Sequence, residues 1–204
     1  MSVTQAIIVC GGFGKRLGDI TLKTPKPMLK IKELTVLEYI IKNLSRFGIK
    51  KVFLLCHYKY SLFKKKFHNK IFFSVEVFCV KEKKLLGSSG ALFNIRKKLD
   101  KNFLFCNGDT FFDINISDLI YEHVRSEKLA FVALKKIKTK YNYDTFNLDN
   151  KNSLLQDFNN KSKMINSGIY ILSKKIIPYL VKLGSLEKNV FIKLIKKKKK
   201  YQAK

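Results

Sequence analysis

Short runs of β-branched and aromatic residues alternate along this chain with stretches in which apolar positions recur every three or four residues. Ala6 to Cys10 is an uncharged run suited to a strand buried on both faces of a parallel sheet. Thr35 to Phe47 carries Leu37, Ile40, Ile41 and Leu44 at helical spacing and stops at Gly48, and Lys51 to Cys56 returns as an apolar strand. Together they read as a β-α-β unit. Further on the pattern predicts a lysine-rich helix over Tyr60 to Phe67, a strand over Phe72 to Val80, and a helix over Ser89 to Leu99 capped by Ser88 or Ser89. Asn102 to Cys106 is the next strand, and Ile116, Leu119, Ile120, His123 and Val124 trace a helical stripe. Strands follow over Leu129 to Leu134, Leu154 to Phe158 and Gly168 to Leu172, with polar turns around Asn142 and Asn150 and helices from Ser173 and Ser185. Strand and helix patterns in alternation predict an α/β fold, a mostly parallel, Rossmann-like sheet flanked by helices.

Composition permits one such domain. The chain has 204 residues, 46% of them hydrophobic and 17 of them Phe, enough to build a single core. No internal repeat or proline-rich linker marks a second domain, so residues 1–195 read as one unit and the lysine run from Lys196 to Lys200 opens a basic tail, 196–204. Cys10, Cys56, Cys79 and Cys106 each sit in or at the end of an apolar run without zinc-site spacing, and read as reduced core residues. Neither a charged-then-apolar leader nor an 18-residue apolar stretch is present, which predicts a cytoplasmic protein with no membrane partner.

The formal charge of +27 attracts polyanions and has to be weighed. The excess is mostly lysine spread over the whole chain, not an arginine and aromatic stripe that would stack bases. It therefore reads as a solvated surface, with specific nucleic-acid binding as a minor alternative. His57, His68 and His123 have no mutual spacing that suggests a metal or catalytic pair.

The chemistry concentrates in residues 10 to 28, CGGFGKRLGDITLKTPKPM, where an apolar strand feeds glycines. Gly11, Gly12 and Gly14 can take positive φ and bring backbone N–H groups close to an anion, while Arg16 and Lys26 supply charge. No Gly-Lys-Ser/Thr closes the loop as in a P-loop. Pro25 and Pro27 forbid the regular helix that a dinucleotide fingerprint would open over Asp19 to Pro27, which leaves an extended loop that points one lysine. A sharp strand-to-helix turn is the competing structural reading. Asp109 stands just past the Phe103 to Cys106 run, at the carboxyl edge where ligands of open parallel sheets bind; alone it reads as a turn aspartate, and beside the glycine loop as a Mg²⁺ ligand.

GGFGKRL followed by TPKPM resembles the signature of the sugar-1-phosphate nucleotidyltransferases. LLGSSGAL (Leu85 to Leu92), FLFCNGDTFFDI (Phe103 to Ile114), INSGIY (Ile165 to Tyr170) and SLEKNVF (Ser185 to Phe191) extend the likeness over nearly the whole chain. The wording around HYKYSLFKKKF and NGDTFFDINISDL is most similar to guanylyltransferases acting on heptose 1-phosphate, with hexose-1-phosphate enzymes next. The resemblance implies attack of a sugar 1-phosphate oxygen on the α-phosphorus of a nucleoside triphosphate, with release of pyrophosphate and no protein nucleophile. It further implies that Gly11, Gly12 and Gly14 cradle the nucleotide, Arg16 its triphosphate, and Lys26 the reacting phosphates. Gly87, Ser88 and Gly90 would lie against base or ribose, Lys161, Asn166 and Gly168 against the sugar phosphate, and Asp109 on Mg²⁺. Partners would be the two substrates, with a homo-oligomer left open.

The chain departs from that pattern at Ser88 and Ser89, where the family has Thr-Gly; at Asn160, where it has Glu before the lysine; and at Asp144, where it has Gly after the tyrosine. The family also continues past the SLEK helix to a second metal aspartate. The basic end here reads as truncated, so a noncatalytic nucleotide-binding relative is the alternative.

Overall fold

The computed structural model describes residues 3–14, 18–126, 128–137, 145–149, 154–158, 164–196 and 202–203. Within it the chain divides into two units, residues 2–85 with 105–113, and residues 86–104 with 114–204.

The first unit begins with β1 (Gln5–Val9), then α1 (Ile20–Lys23), the short ribbon β2 (Lys30–Ile31) and β3 (Leu34–Thr35), and α2 (Val36–Arg46). Strand β4 (Lys51–Cys56), helix α3 (Tyr60–Phe67), β5 (Lys70–Phe72) and β6 (Val75–Lys81) follow. Parallel pairing runs from Gln5↔Lys51 to Val9↔Leu55 between β1 and β4, and from Lys51↔Glu76 to Cys56↔Lys81 between β4 and β6. Ile7, Ile8, Val52 and Leu54 are fully buried, as the uncharged runs require. Helix α2 covers the sheet with Leu37, Ile40, Ile41 and Leu44, and starts at a capping box in which the Thr35 and Glu38 side chains each bond the other's backbone N–H. Lys66 reaches Glu38 at 2.9 Å from α3.

The second unit holds α4 (Gly87–Asn94), the start of β7 (Asn102–Asn107), α5 (Ile116–Ser126), β8 (Ala130–Lys136), the antiparallel ribbon β9 (Phe146–Asp149) and β10 (Leu154–Phe158), β11 (Met164–Ser173), α6 (Ile192–Lys196) and β12 (Gln202–Ala203). Strand β8 pairs antiparallel with β11 and parallel with β12. Residues 105–107 of β7 belong to the first unit, where Gly108 N donates to Val9 O at 2.9 Å. The layout is the α/β, mostly parallel sheet flanked by helices that the pattern predicts. All four cysteines are buried and unpaired, in line with their reading as core residues.

Four local expectations are corrected. The strand predicted over Phe72 to Val80 is a hairpin whose two-residue turn, Phe73-Ser74, has φ of 51° and 62°; the turn is invisible in the sequence because neither residue is the Asn or Gly that favours positive φ. Residues 19–27 are not wholly extended: α1 makes one turn, and Lys26–Met28 a 3₁₀ turn with Pro27 near its start, where a missing N–H costs nothing. The helix predicted over Ser89 to Leu99 runs from Gly87 to Asn94 and gives way to a 3₁₀ turn at Arg96–Lys98. Its N-cap position falls on Leu86 rather than on Ser88 or Ser89, because both serine hydroxyls bond outside the helix. Strand β11 begins earlier than Gly168 and carries a bulge between Asn166 and Tyr170. The helical segments expected from Ser173 and Ser185 form, and each serine accepts a hydrogen bond from the backbone two or three residues on, Lys175 N and Lys188 N. The turns expected near Asn142 and Asn150 lie outside the described residues.

Candidate active site

In the first unit the glycine loop leaves the end of β1 and faces Lys26 and Asp109. Lys26 Nζ donates to Asp109 Oδ2 at 2.8 Å, with side chains 39% and 42% exposed. Pro25, at φ −56°, and Pro27 fix the backbone around Lys26, so the lysine is presented by a rigid turn. Asp109 is positioned by Gly108, where any Cβ would lie 2.7 Å from Cys10 Sγ and 3.0 Å from Val9 O. That glycine lets the β7 end press against the β1 end. Gly12, Gly14, Lys26, Asn107 and Asp109 line a small cavity of about 190 Å³.

The three loop glycines are not equivalent. A Cβ at Gly11 would meet Glu82 Oε2 at 2.9 Å, and Gly14 has φ +66° with Thr21 Cγ2 2.9 Å from its missing Cβ. Thr21 Oγ1 ties the turn by donating to Gly14 O at 3.2 Å and to Gly18 O at 3.0 Å. Gly11 and Gly14 are therefore required by packing and conformation. Gly12 is exposed, has ordinary φ and nothing within 4 Å of a Cβ, so packing and conformation do not by themselves require glycine there. Arg16 and Lys161 lie outside the described residues.

The remaining sequence-predicted residues are in the second unit. Gly87 (φ +73°) and Gly90 open α4 against the 182–184 segment, their missing Cβ atoms 2.4 Å from Gly184 O and 2.6 Å from Lys182 O. Ser89 Oγ, fully buried, accepts from Val181 N at 2.9 Å, and Ser88 Oγ accepts from Leu186 N at 2.8 Å. The two serines that stand where the resemblance has Thr-Gly thus staple α4 to the segment before Leu186. Asn166 and Gly168 form the β11 bulge: Gly168 has φ +73° and its N–H donates to Asn166 Oδ1 at 2.9 Å.

Sequence reasoning missed Glu187. Tyr170 Oη donates to Glu187 Oε1 at 2.5 Å, Asn166 Nδ2 approaches the same oxygen at 3.5 Å and Tyr170 Oη at 2.6 Å, and Ser88 Oγ donates to Oε2 at 3.3 Å. One carboxylate thereby joins three motifs that are 99 residues apart at the extreme. Its signal was the glutamate inside SLEK, two residues after a capping serine, but nothing in the sequence said what it would meet.

Residues 5–201 match the family described as Nucleotidyl transferase. The chain belongs to that family. It is 37% identical to a D-glycero-alpha-D-manno-heptose 1-phosphate guanylyltransferase of Campylobacter jejuni, over 84% of this chain and 77% of the relative. It is 32% identical to the protein of that name from Aneurinibacillus thermoaerophilus, over 84% and 76%. Among solved structures, HddC from Yersinia pseudotuberculosis complexed with GMP-PN superposes with a TM-score of 0.85 at 24% identity, covering 99% of this chain and 90% of that one, which establishes the fold. The nucleotidyl transferase read from the glycine loop is thus an enzyme of the sugar-1-phosphate class, joining a nucleoside triphosphate to a sugar phosphate. Among the described residues no helix is long and apolar enough to cross a membrane.

Proposed function

We propose that this nucleotidyl transferase moves GMP from GTP to a heptose 1-phosphate, giving GDP-heptose and pyrophosphate. The observation that carries the choice of substrates is the 37% identity to the C. jejuni heptose 1-phosphate guanylyltransferase over most of both chains. An oxygen of the sugar phosphate attacks the α-phosphorus, the bond from that phosphorus to the β-phosphate bridging oxygen breaks, and its electron pair leaves on pyrophosphate. Lys26 neutralises charge building on the phosphates, and the Gly12 backbone gives room for their approach. Arg16 is assigned to the triphosphate, Gly87, Ser88 and Gly90 to the nucleoside, and Lys161, Asn166 and Gly168 to the sugar phosphate. The product is an activated donor of the kind consumed by glycosyl transfer into lipopolysaccharide or capsule, and the site of action is the cytoplasm.

Mg²⁺ belongs to the same proposal. Among the described residues no cluster of three or more His, Cys, Asp or Glu could cage an ion. Asp109, half exposed and held beside Lys26, suits an ion that draws most of its ligands from phosphates and water, and Asp109 would hold it. Bound there, Mg²⁺ would supply charge neutralisation for the triphosphate.

Pyrophosphate release tests the reading. GTP with D-glycero-α-D-manno-heptose 1-phosphate and Mg²⁺ should turn over, against weak or no release with ATP, CTP or UTP. Preference for mannose 1-phosphate would move the sugar assignment. GTP binding without release from any sugar phosphate would leave the noncatalytic relative.

A further inference from the structure

In the first unit, β4 lies between β1 and β6 and is buried from Val52 to Cys56, so the turn that leaves it, residues 57–59, starts from a fixed strand end. This turn reaches the glycine loop. Helix α1 is four residues long, and a helix of one turn neither holds itself nor bonds its own last carbonyls. Those carbonyls are met from the β4 turn. Tyr58 Oη lies 3.1 Å from Thr21 O and from Leu22 O, sharing one proton between them, and Lys59 Nζ donates to Leu22 O and, at 2.8 Å, to Lys23 O. The start of the loop rests on the same turn, with the Phe13 ring 5.1 Å from that of Tyr58 and edge-on to His57 at 6.1 Å. Tyr58 therefore grips Phe13 with its ring and α1 with its hydroxyl.

Thr21 carries that grip to the phosphate cavity. It is 3% exposed, its hydroxyl is shared between Gly14 O and Gly18 O, and its methyl carbon lies 2.9 Å from where a Cβ of Gly14 would stand. Lys26 Cβ is 3.4 Å from that same point. Gly14 is thus held between Thr21 and Lys26, and both Gly14 and Lys26 line the cavity beside Asp109.

We propose that Tyr58 and Thr21 are positioning residues for the phosphates of the nucleotide: they set where the Gly14 backbone stands relative to Lys26. The inference rests on reading that cavity as the phosphate site. Phosphate oxygens need backbone and ammonium donors at a fixed separation, and a misplacement of about 1 Å is enough to cost a large factor. Loss of either hydroxyl leaves the strand end and the prolines beside Lys26 in place but loosens the loop that faces them.

The test is steady-state kinetics on the full chain, together with calorimetric binding of the nucleoside triphosphate that the parent uses, without sugar phosphate. Tyr58→Phe keeps the ring on Phe13 and removes the hydroxyl. Thr21→Val keeps a methyl group against Gly14 and removes the hydroxyl, and Thr21→Ser keeps the hydroxyl. Tyr58→Phe and Thr21→Val should each raise KM and Kd for the triphosphate roughly five- to twentyfold, with KM for the sugar phosphate and the thermal unfolding midpoint nearly constant. Thr21→Ser should bind the triphosphate about threefold or more tighter than Thr21→Val. Because the two hydroxyls act in series on one loop, Tyr58→Phe/Thr21→Val should fall within about twofold of the weaker-binding single variant, where independent contacts would multiply. Triphosphate binding close to the parent's in either variant that lacks a hydroxyl, losses that multiply, or equal rises in both KM values overturn the proposal. Lys26→Ala is the control on the cavity. If it leaves triphosphate binding unchanged, the reading of the cavity fails and takes this inference with it; if it weakens binding while Tyr58→Phe and Thr21→Val do not, this inference alone fails.

Discussion

Lys26 Nζ and Asp109 Oδ2 stand 2.8 Å apart although 83 positions separate the two residues in the chain. Both side chains are more than a third exposed, and screened pairs of this kind contribute at most about 1 kcal/mol. Stability does not explain the pair, and the proposed function gives it a role at the reacting phosphates. Lys26→Ala and Asp109→Ala should each lower kcat for pyrophosphate release by roughly 10²-fold or more, the cost of removing one preorganised charge from a phosphoryl-transfer site. Urea unfolding midpoints should move by less than the equivalent of about 1 kcal/mol. Unchanged turnover in either variant removes that residue from the site.

Gly12→Ala separates binding from folding. The position has no neighbour within 4 Å of a Cβ and no positive φ, so stability should change by no more than about 0.5 kcal/mol. The added methyl group should instead obstruct the approach of a triphosphate and raise the KM for GTP about tenfold. Gly14→Ala is the contrast: φ +66° and the 2.9 Å approach to Thr21 predict a loss of roughly 1–3 kcal/mol in denaturant titrations, whatever happens to KM.

Glu187 is expected to act through the residues it orients. Glu187→Gln keeps the shape but weakens acceptance of the Tyr170 and Asn166 hydrogen bonds. Steady-state kinetics should show KM for the sugar phosphate rising five- to twentyfold with KM for GTP nearly constant. Tyr170→Phe should move the same parameter in the same direction. Equal changes in both KM values would mean that Glu187 only holds the fold together.

Acid should destabilise the protein in two stages. His123 has a folded pKa of about 4 against an ordinary 6.5, so between those values the unfolded chain binds the extra proton and the folded one does not. The stability it contributes is complete above pH 6.5 and falls by about 3 kcal/mol as the pH drops to 4. Burial raises the Glu38 carboxyl, but the Lys66 ammonium and the Thr35 hydrogen bonds outweigh it and hold the pKa below its ordinary 4.5. Its contribution is present above pH 4.5 and is lost below. Urea midpoints measured from pH 8 to 4 should decline from about pH 6.5, and His123→Gln should flatten that first decline.

The strands were legible because buried parallel strands must be uncharged, and Ile7, Ile8, Val52 and Leu54 can be nowhere but inside. Helix α2 was legible because Leu37, Ile40, Ile41 and Leu44 share one face, with Gly48 just beyond. The hairpin turn at Phe73-Ser74 was not, since its left-handed backbone is imposed by the pairing of β5 with β6 and not by residues that prefer it. Of the motif residues, Gly12 and Asp109 were found as a group because they follow β1 and β7, which end at the same edge of the sheet, while Lys26 comes after α1 and is brought there by the turn at Lys26–Met28.

What the sequence determined by itself is therefore what local chemistry enforces: alternating apolar segments, a glycine turn, a lysine between two prolines. Tertiary structure alone decided which glycines packing requires and which it does not, because that depends on atoms contributed by Glu82, Thr21 and Gly184. It also decided that Ser88 and Ser89 are staples, that Glu187 gathers Asn166, Tyr170 and Ser88, and that His123 packs on Phe131 with its Nε2 on Asn102. The partners of Glu187, 17 to 99 residues away, are fixed by the fold's register, and no local pattern in the chain encodes them.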